Sequence, residues 1–296
     1  MRYAAILIAG LALAQNSLAP VERLISAGRY QSAAEELSRH ANGSLQWHLL
    51  ASKAYEGLGD LPRAVSEAEA ALQMEPRSEA GHLQLGQIFL SHNTPLAALD
   101  IFTDAQQLFP KSFLIRLGRG LALKEIGRYE EAAGELQECL RQQPSSRIAF
   151  DGLGTALLQS SKFEELVQVS EAYSKRNPED YRGYFYLAAA REGLALSDDV
   201  SLKLLRKSLQ LNPNFAASLS LLGKILLRQN SLQEAVAALE RSVALRPDHV
   251  PSHMTLATVY RKLGREKEAA REFETIREIH EKERQPSPSL LYHRGK

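Results

Sequence analysis

Six stretches of this chain share one order of small, large and turn-forming residues. Each closes on a proline: Pro76, Pro110, Pro144, Pro178, Pro213 and Pro247, separated by 34, 34, 34, 35 and 34 residues. Counted back 24 residues from each proline, a small residue stands at Ser52, Gly86, Gly120, Gly154, Ala188 (after one inserted residue) and Gly223. Twelve residues before the proline stand Ala64, Ala98, Ala132, Leu166, Ser201 and Ala235; eight before it stand Ala68, Phe102, Leu136, Ser170, Leu205 and Leu239. The pattern predicts two helices per unit. Small residues midway along the first helix let the second cross it closely, and the larger residue one turn on fills the remaining gap. Gly59-Asp60, Gly127-Arg128, Asn230-Ser231 and Gly264-Arg265 read as the turn between the helices, because glycine and asparagine tolerate positive φ. The proline ends the second helix, since it has no amide hydrogen for the helical ladder.

A period of 34 with these residues resembles the tetratricopeptide repeat family. Residues 79–112 match its pattern at Leu85-Gly86, Phe89, Ala98, Phe102, Ala105 and Pro110. Residues 113–146 match at Gly120, Tyr129, Ala132, Leu136 and Pro144, and residues 250–283 at Leu256, Ala257, Tyr260, Gly264, Ala269 and Phe273. The resemblance implies an all-α, right-handed superhelical solenoid of helix–turn–helix units at 45–78, 79–112, 113–146, 147–180, 181–215, 216–249 and 250–283. A partial unit occupies 15–44, where Gly28, Tyr30, Ala33 and Leu37 keep the register. Unit 181–215 departs from the pattern. It carries an extra residue around "ALSDDVS", with Arg191 and Ser201 where apolar or small residues are usual, so it is expected to open first; Asp198 is expected to cap its second helix.

The first residues follow another logic. Arg2 precedes an apolar run from Ala4 to Ala14 that ends in Ala12-Leu13-Ala14, the small-x-small form of a signal-peptidase site. The run is too short to span a bilayer as a helix, which takes about 20 residues. A signal peptide over 1–14 and an exported, periplasmic or secreted protein are the expectation; an uncleaved apolar first helix is the alternative. At the other end, 284–296 contains Pro286 and Pro288 and no helical period, so an inert tail is expected, with Leu290, Leu291 and Tyr292 as a docking motif the alternative.

Composition removes several functions. A formal net charge of +1 gives no bulk electrostatic case for nucleic acid or an acidic membrane. The single cysteine, Cys139, rules out an intrachain disulfide and a cysteine-based zinc cluster, and its register with Ala71 and Ala105 makes it a small buried hydrophobe. No phosphate loop, G-x-S-x-G elbow or H-E-x-x-H helix occurs, so no enzyme, no metal and no cofactor are expected. His48, His82 and His253 share the fourth position of their units, where Phe150 and Tyr184 stand elsewhere, and read as substitutes for a packing aromatic. Asn42-Gly43-Ser44 fits a glycosylation triplet but reads better as a turn.

The resemblance implies a concave groove, lined by first helices, that holds a peptide segment or partner helix. Carried over by position, its apolar middle contains Leu117, Leu121 and Phe185, and its basic end contains Lys224, Leu227, Arg228, Met254, Arg261 and Lys262. The chaperone-binding clamp of the family needs an asparagine where this chain has Lys53, Gln87, Leu121, Thr155, Ala189, Lys224 and Thr258, so that ligand is disfavoured. Tyr181, Tyr184, Phe185 and Tyr186 form an alternative aromatic patch. The expected function is a non-catalytic scaffold for a protein or peptide with acidic and apolar residues. The alternatives are an envelope assembly factor acting by its outer surface or self-association, and a basic end that is only solvated surface offset by acids on neighbouring helices. The oligomeric state is left open.

Overall fold

The computed structural model describes residues 18–39 and 43–284. The expected signal segment 1–14, Asn42 of the glycosylation triplet, and Leu290, Leu291 and Tyr292 lie outside the described residues. Sixteen helices and no strand occur among those described. Residues 18–26 form α1, followed by α2 (Tyr30–Arg39), α3 (Leu45–Gly57), α4 (Leu61–Met74), α5 (Glu79–Ser91), α6 (Pro95–Leu108), α7 (Phe113–Glu125) and α8 (Tyr129–Gln142). The remainder are α9 (Arg147–Gln159), α10 (Phe163–Arg176), α11 (Tyr181–Gly193), α12 (Asp198–Leu211), α13 (Ala216–Arg228), α14 (Leu232–Leu245), α15 (Val250–Lys262) and α16 (Glu266–Glu283). The chain divides into two compact units, one ending at Glu135 and the other beginning at Leu136. The architecture is an all-α helical repeat solenoid, in which odd-numbered helices from α3 onward are the first helix of a pair and even-numbered ones the second.

Local sequence sets the helix ends. Each of the six prolines stands two residues beyond the last residue of a second helix. Two residues after the proline comes the cap of the next helix. Ser78, Ser112 and Ser146 accept from the amides of Gly81, Ile115 and Ala149, and Asp180 accepts from that of Arg182. Such a cap is worth about 1 kcal/mol. In the last two repeats Phe215 and His249 hold this place and make no side-chain cap bond. The turns inside the pairs all need one left-handed residue. Glycine supplies it at Gly28, Gly59, Gly127 and Gly264, and asparagine at Asn93 and Asn230. Ser161 and Ala195 adopt the same conformation with φ of 57° and 52°, against an intrinsic cost of about 1 kcal/mol for a residue with a Cβ. The turn therefore belongs to the repeat geometry and not to the residue occupying it.

The two helices of a pair meet through small residues. Ser52 comes close enough to α4 for its hydroxyl to donate to the Ala64 carbonyl at 2.8 Å. In the first unit, the Phe102 ring of α6 is wedged between two first helices: a Cβ added at Gly86 of α5 or at Gly118 of α7 would lie 2.4 Å from it. In the second, Leu239 of α14 fills the space over Gly223, and Tyr186 of α11 the space over Gly154 of α9. Substituting a larger residue at Gly86 would force the Phe102 ring out, the kind of overpacking that costs about 1–3 kcal/mol.

Two local expectations need correction. Asp198 does not cap α12; Ser197 holds that position without a side-chain cap bond, and the Asp198 carboxylate accepts from Arg228. Phe185 and Tyr186 are not a surface patch. Phe185 is 9% exposed and its ring lies 5.0 Å from that of Phe215, while the Tyr186 hydroxyl is satisfied by Asp151. Ser201 of α12 is buried, and Arg191 Nε, like Arg116 Nε in a repeat without the insertion, is buried with no hydrogen-bond partner among the described residues. No helix among the described residues is long and apolar enough to cross a membrane.

Candidate functional surfaces on the first helices

Within the first unit, α3 and α5 border a cleft of about 550 Å³ lined by Tyr30, Lys53, Glu56, Gln84, Gln87 and His92, among others. Its centre is one acid held by uncharged donors. Glu56, on the last turn of α3, accepts from Gln84 Nε2 at 2.9 Å and from Ser91 Oγ at 3.0 Å on α5. Leu117 and Leu121 follow on α7, where Leu117 is 8% exposed and Leu121 half-buried. The apolar middle expected from positions 117, 121 and 185 is therefore mostly core. A first helix must pack against both its pair mate and its neighbours, which buries residues on more than one of its faces, and Phe185 packs on Phe215 at the cap of α13.

Within the second unit the same register carries charge. Glu192 occupies on α11 the place of Glu56 on α3. It receives Arg228 Nη1 and Nη2 at 3.1 and 2.7 Å and lies 3.0 Å from Lys224 Nζ. Arg228 Nε also donates to Asp198 Oδ2 at 2.9 Å, and its Nη2 reaches Asp198 Oδ1. The Arg228 hydrogen bonds hold the Glu192 carboxyl below the usual carboxylate range, against the opposing effect of burial and with help from Lys224. Reciprocally, Asp198 first and Glu192 second raise the Arg228 guanidinium. Beside this cluster, Leu196, Asp199 and Gln229 help to line a cleft of about 490 Å³.

The expected basic end thus divides in two. Lys224 and Arg228 are matched by acids on the preceding repeat, so their charges are locally compensated. Arg261 and Lys262, on the last turn of α15, are exposed and, among the described residues, form no ion pair. Met254 lies on the same helix, 45% exposed, with Leu227 half-buried on α13.

Sequence reasoning allowed for acids on neighbouring helices without naming them, since Glu192 and Arg228 are 36 residues apart. It missed a second recurrent pair. His48 Nδ1 lies 2.6 Å from Glu67 Oε2, Arg116 Nη1 donates to Glu135 Oε2 at 2.9 Å, and His253 Nδ1 lies 2.6 Å from Glu272 Oε2. In each case a base at the fourth position of a repeat meets a glutamate 19 residues on. That spacing was the available signal, and it shows His48 and His253 to be polar cross-links between paired helices. His82 keeps the packing role expected of all three, edge-on to Phe109 at 6.1 Å. His249 is held neutral-leaning: burial and then Arg246 lower it, and its Nδ1 lies 2.7 Å from Ser252 Oγ. Cys139 is buried. No group of three His, Cys, Asp or Glu among the described residues could hold a metal ion.

Comparison with known proteins places this geometry. A family model described as "Tetratricopeptide repeat" matches residues 49–113, 117–165 and 199–250, and a second of the same description matches 226–286. Among curated proteins, the chain is 22% identical over 223 residues to DnaJ homolog subfamily C member 3 of Homo sapiens, covering 75% of this chain and 40% of that one. It is 27% identical over 201 residues to Lipopolysaccharide assembly protein B of Escherichia coli K12, covering 64% of this chain and 51% of that one. The chain thus spans about half or less of the length of these relatives. Among solved structures, a tetratricopeptide repeat protein from Parabacteroides merdae aligns with a TM-score of 0.67 at 18% identity, over 79% of this chain and 93% of that one. The Cut9–Hcn1 hetero-tetramer aligns with a TM-score of 0.62 at 16% identity, over 81% of this chain and 48% of that one. At these identities the structures establish the fold alone.

Proposed function

The chain belongs to the tetratricopeptide repeat family, and from that premise we propose that it is a non-catalytic scaffold holding a segment of a protein partner against α13 and α15. The partner segment carries apolar and acidic residues. The observation that supports this reading is the exposed Met254 beside Arg261 and Lys262, two cations that no acid among the described residues compensates. Apolar contacts with Met254 and Leu227 supply most of the affinity, because an exposed charge pair adds under ~1 kcal/mol. The cations mainly set association rate and register. Selecting peptides from a random display library on the full chain tests the proposal. Enriched peptides should pair acidic with apolar residues, and their binding should slow hydrogen exchange in α13 and α15. Enrichment without acidic residues, or protection confined to α3 and α5, would contradict it.

A second reading, an envelope assembly factor, draws on the relative named for lipopolysaccharide assembly. Arg2, the apolar run to Ala14 and the Ala12-Leu13-Ala14 triplet support export to that compartment. N-terminal sequencing of the exported protein should then begin at or near Gln15, whereas a cytosolic protein retaining Met1 would remove this reading.

A further inference from the structure

The joint that seats α15 is tied by hydroxyls. Ser242 of α14 and Ser252 of α15 are fully buried, at registers where Ala105 and Ile115, or Cys139 and Ala149, stand earlier in the chain. Their oxygens lie 3.0 Å apart. Ser242 also donates to the Ala216 carbonyl of α13 at 3.0 Å, and Ser252 to Ser220 Oγ of α13 at 2.8 Å. Three helices thus converge on Ser252. One titratable ring touches that point: His249 Nδ1 lies 2.7 Å from Ser252 Oγ. His249 holds the position before α15 that Ser78, Ser112 and Ser146 hold before α5, α7 and α9. The preceding joint has a buried serine pair of its own, Ser208 and Ser218 at 2.8 Å, but the inert Phe215 at this position.

We propose that His249 is a proton-sensitive joint: on mild acidification the charged ring leaves its place beside Ser252, the first turn of α15 opens from α13 and α14, and the face these helices present to a partner is lost. The last step rests on the partner reading above. The ring is faced by Arg246 at the end of α14, by Asp248 on the connecting loop and by His253 of α15, itself bonded to Glu272 of α16; α13 and α14 bring the hydroxyls of Ser220 and Ser242 to the same cluster. Burial first and Arg246 next hold the imidazole below its ordinary value of 6.5, against Asp248. The amides at the start of α15 also disfavour a cation there. A proton is therefore bound more readily once α15 has opened. The stability that the neutral ring contributes is complete above 6.5 and is lost as pH falls from there toward the depressed folded value. Charging also takes the ring out to water and leaves the buried Ser252 without its partner on the loop.

The test reads protection factors of the α15 amides by hydrogen exchange on the full chain, without partner, from about pH 8 to about pH 5. They should fall on acidification while those of α9 hold. In His249→Ser, which restores the residue found at this register before α5, α7 and α9, the loss should be absent; if that variant does not fold, His249→Gln takes its place. Protection of α15 that follows α9 at every pH overturns the proposal. So does a loss that persists in the variant, which would assign the sensing to His253 and Glu272. Binding is read separately. Peptides selected on the α13 and α15 face at the upper pH should bind parent and variant alike there, and the parent more weakly than the variant at the lower pH. Equal weakening of the two overturns the gating. If no peptide selects that face, the partner reading fails by itself, and exchange still decides the joint.

Discussion

Arg228 and Lys262 occupy the same position in consecutive repeats, the last residue of α13 and of α15, yet they meet different surroundings. The repeat before Arg228 offers Glu192 at the end of its first helix and Asp198 at the start of its second. The repeat before Lys262 has Leu227 and Leu232 at those two places. One cation is spent on the fold and the other is left to solvent or to a partner. The sign of the potential along such a face is therefore decided by the preceding repeat, and charges counted on a single helix do not give it. The Glu56 site makes the same point with uncharged donors, because Ser91 stands where Arg228 stands and the acid settles for hydroxyl and amide donors.

The largest effect expected from breaking this contrast is on stability. Arg228→Ala strands Asp198 and leaves Glu192 with Lys224 alone, and should cost about 1–2 kcal/mol in urea unfolding, the scale of charged hydrogen bonds at a half-exposed site. Lys262→Ala should change stability by less than about 0.5 kcal/mol. Equal costs would show that the two cations are equally engaged.

Acid should expose the same difference more weakly. The folded Glu192 carboxyl lies below its ordinary value of 4.5. Its contribution is therefore complete above that value and is lost as pH falls through the depressed folded one. The stability gap between the parent protein and Glu192→Gln should be constant near neutrality and shrink below pH 4.5. A gap that widens on acidification would reverse the assignment.

A smaller change in stability than that of Arg228→Ala comes from grafting the acid. Leu227→Glu puts a carboxylate at the register of Glu192, before Lys262. Stability should move by no more than about 1 kcal/mol, while binding of acidic peptides selected on the parent protein should fall. Unaltered binding would mean that neither Leu227 nor Lys262 is part of the site.

Much of the fold was legible in the chain because many helix ends carry their own local signal. The prolines stop the second helices, the serines two residues later cap the next ones, and small residues mark the close crossings. Ser161 and Ala195 were not legible as turn residues, since their left-handed φ is imposed by the repeats around them. The candidate site was less legible for a related reason. Register brought Lys224, Arg228, Arg261 and Lys262 to one set of helices but could not say which were compensated, because the acids come from another repeat. Nor could it separate Leu117 and Phe185, which are buried, from Met254, which is exposed: all three satisfy the same spacing, and only packing against neighbouring helices distinguishes them.

The central claim is that a partner reads Arg261 and Lys262 and not Lys224 and Arg228. The most direct measurement is the affinity of one selected acidic–apolar peptide for the full chain and for two charge-reversed variants, Arg261→Glu/Lys262→Glu and Lys224→Glu/Arg228→Glu, at low and physiological salt. The account predicts that the first variant loses roughly tenfold or more in affinity together with most of its salt dependence, while keeping its thermal midpoint. The second should lose stability first and affinity to a lesser degree. Affinity and salt dependence unchanged by Arg261→Glu/Lys262→Glu would contradict it.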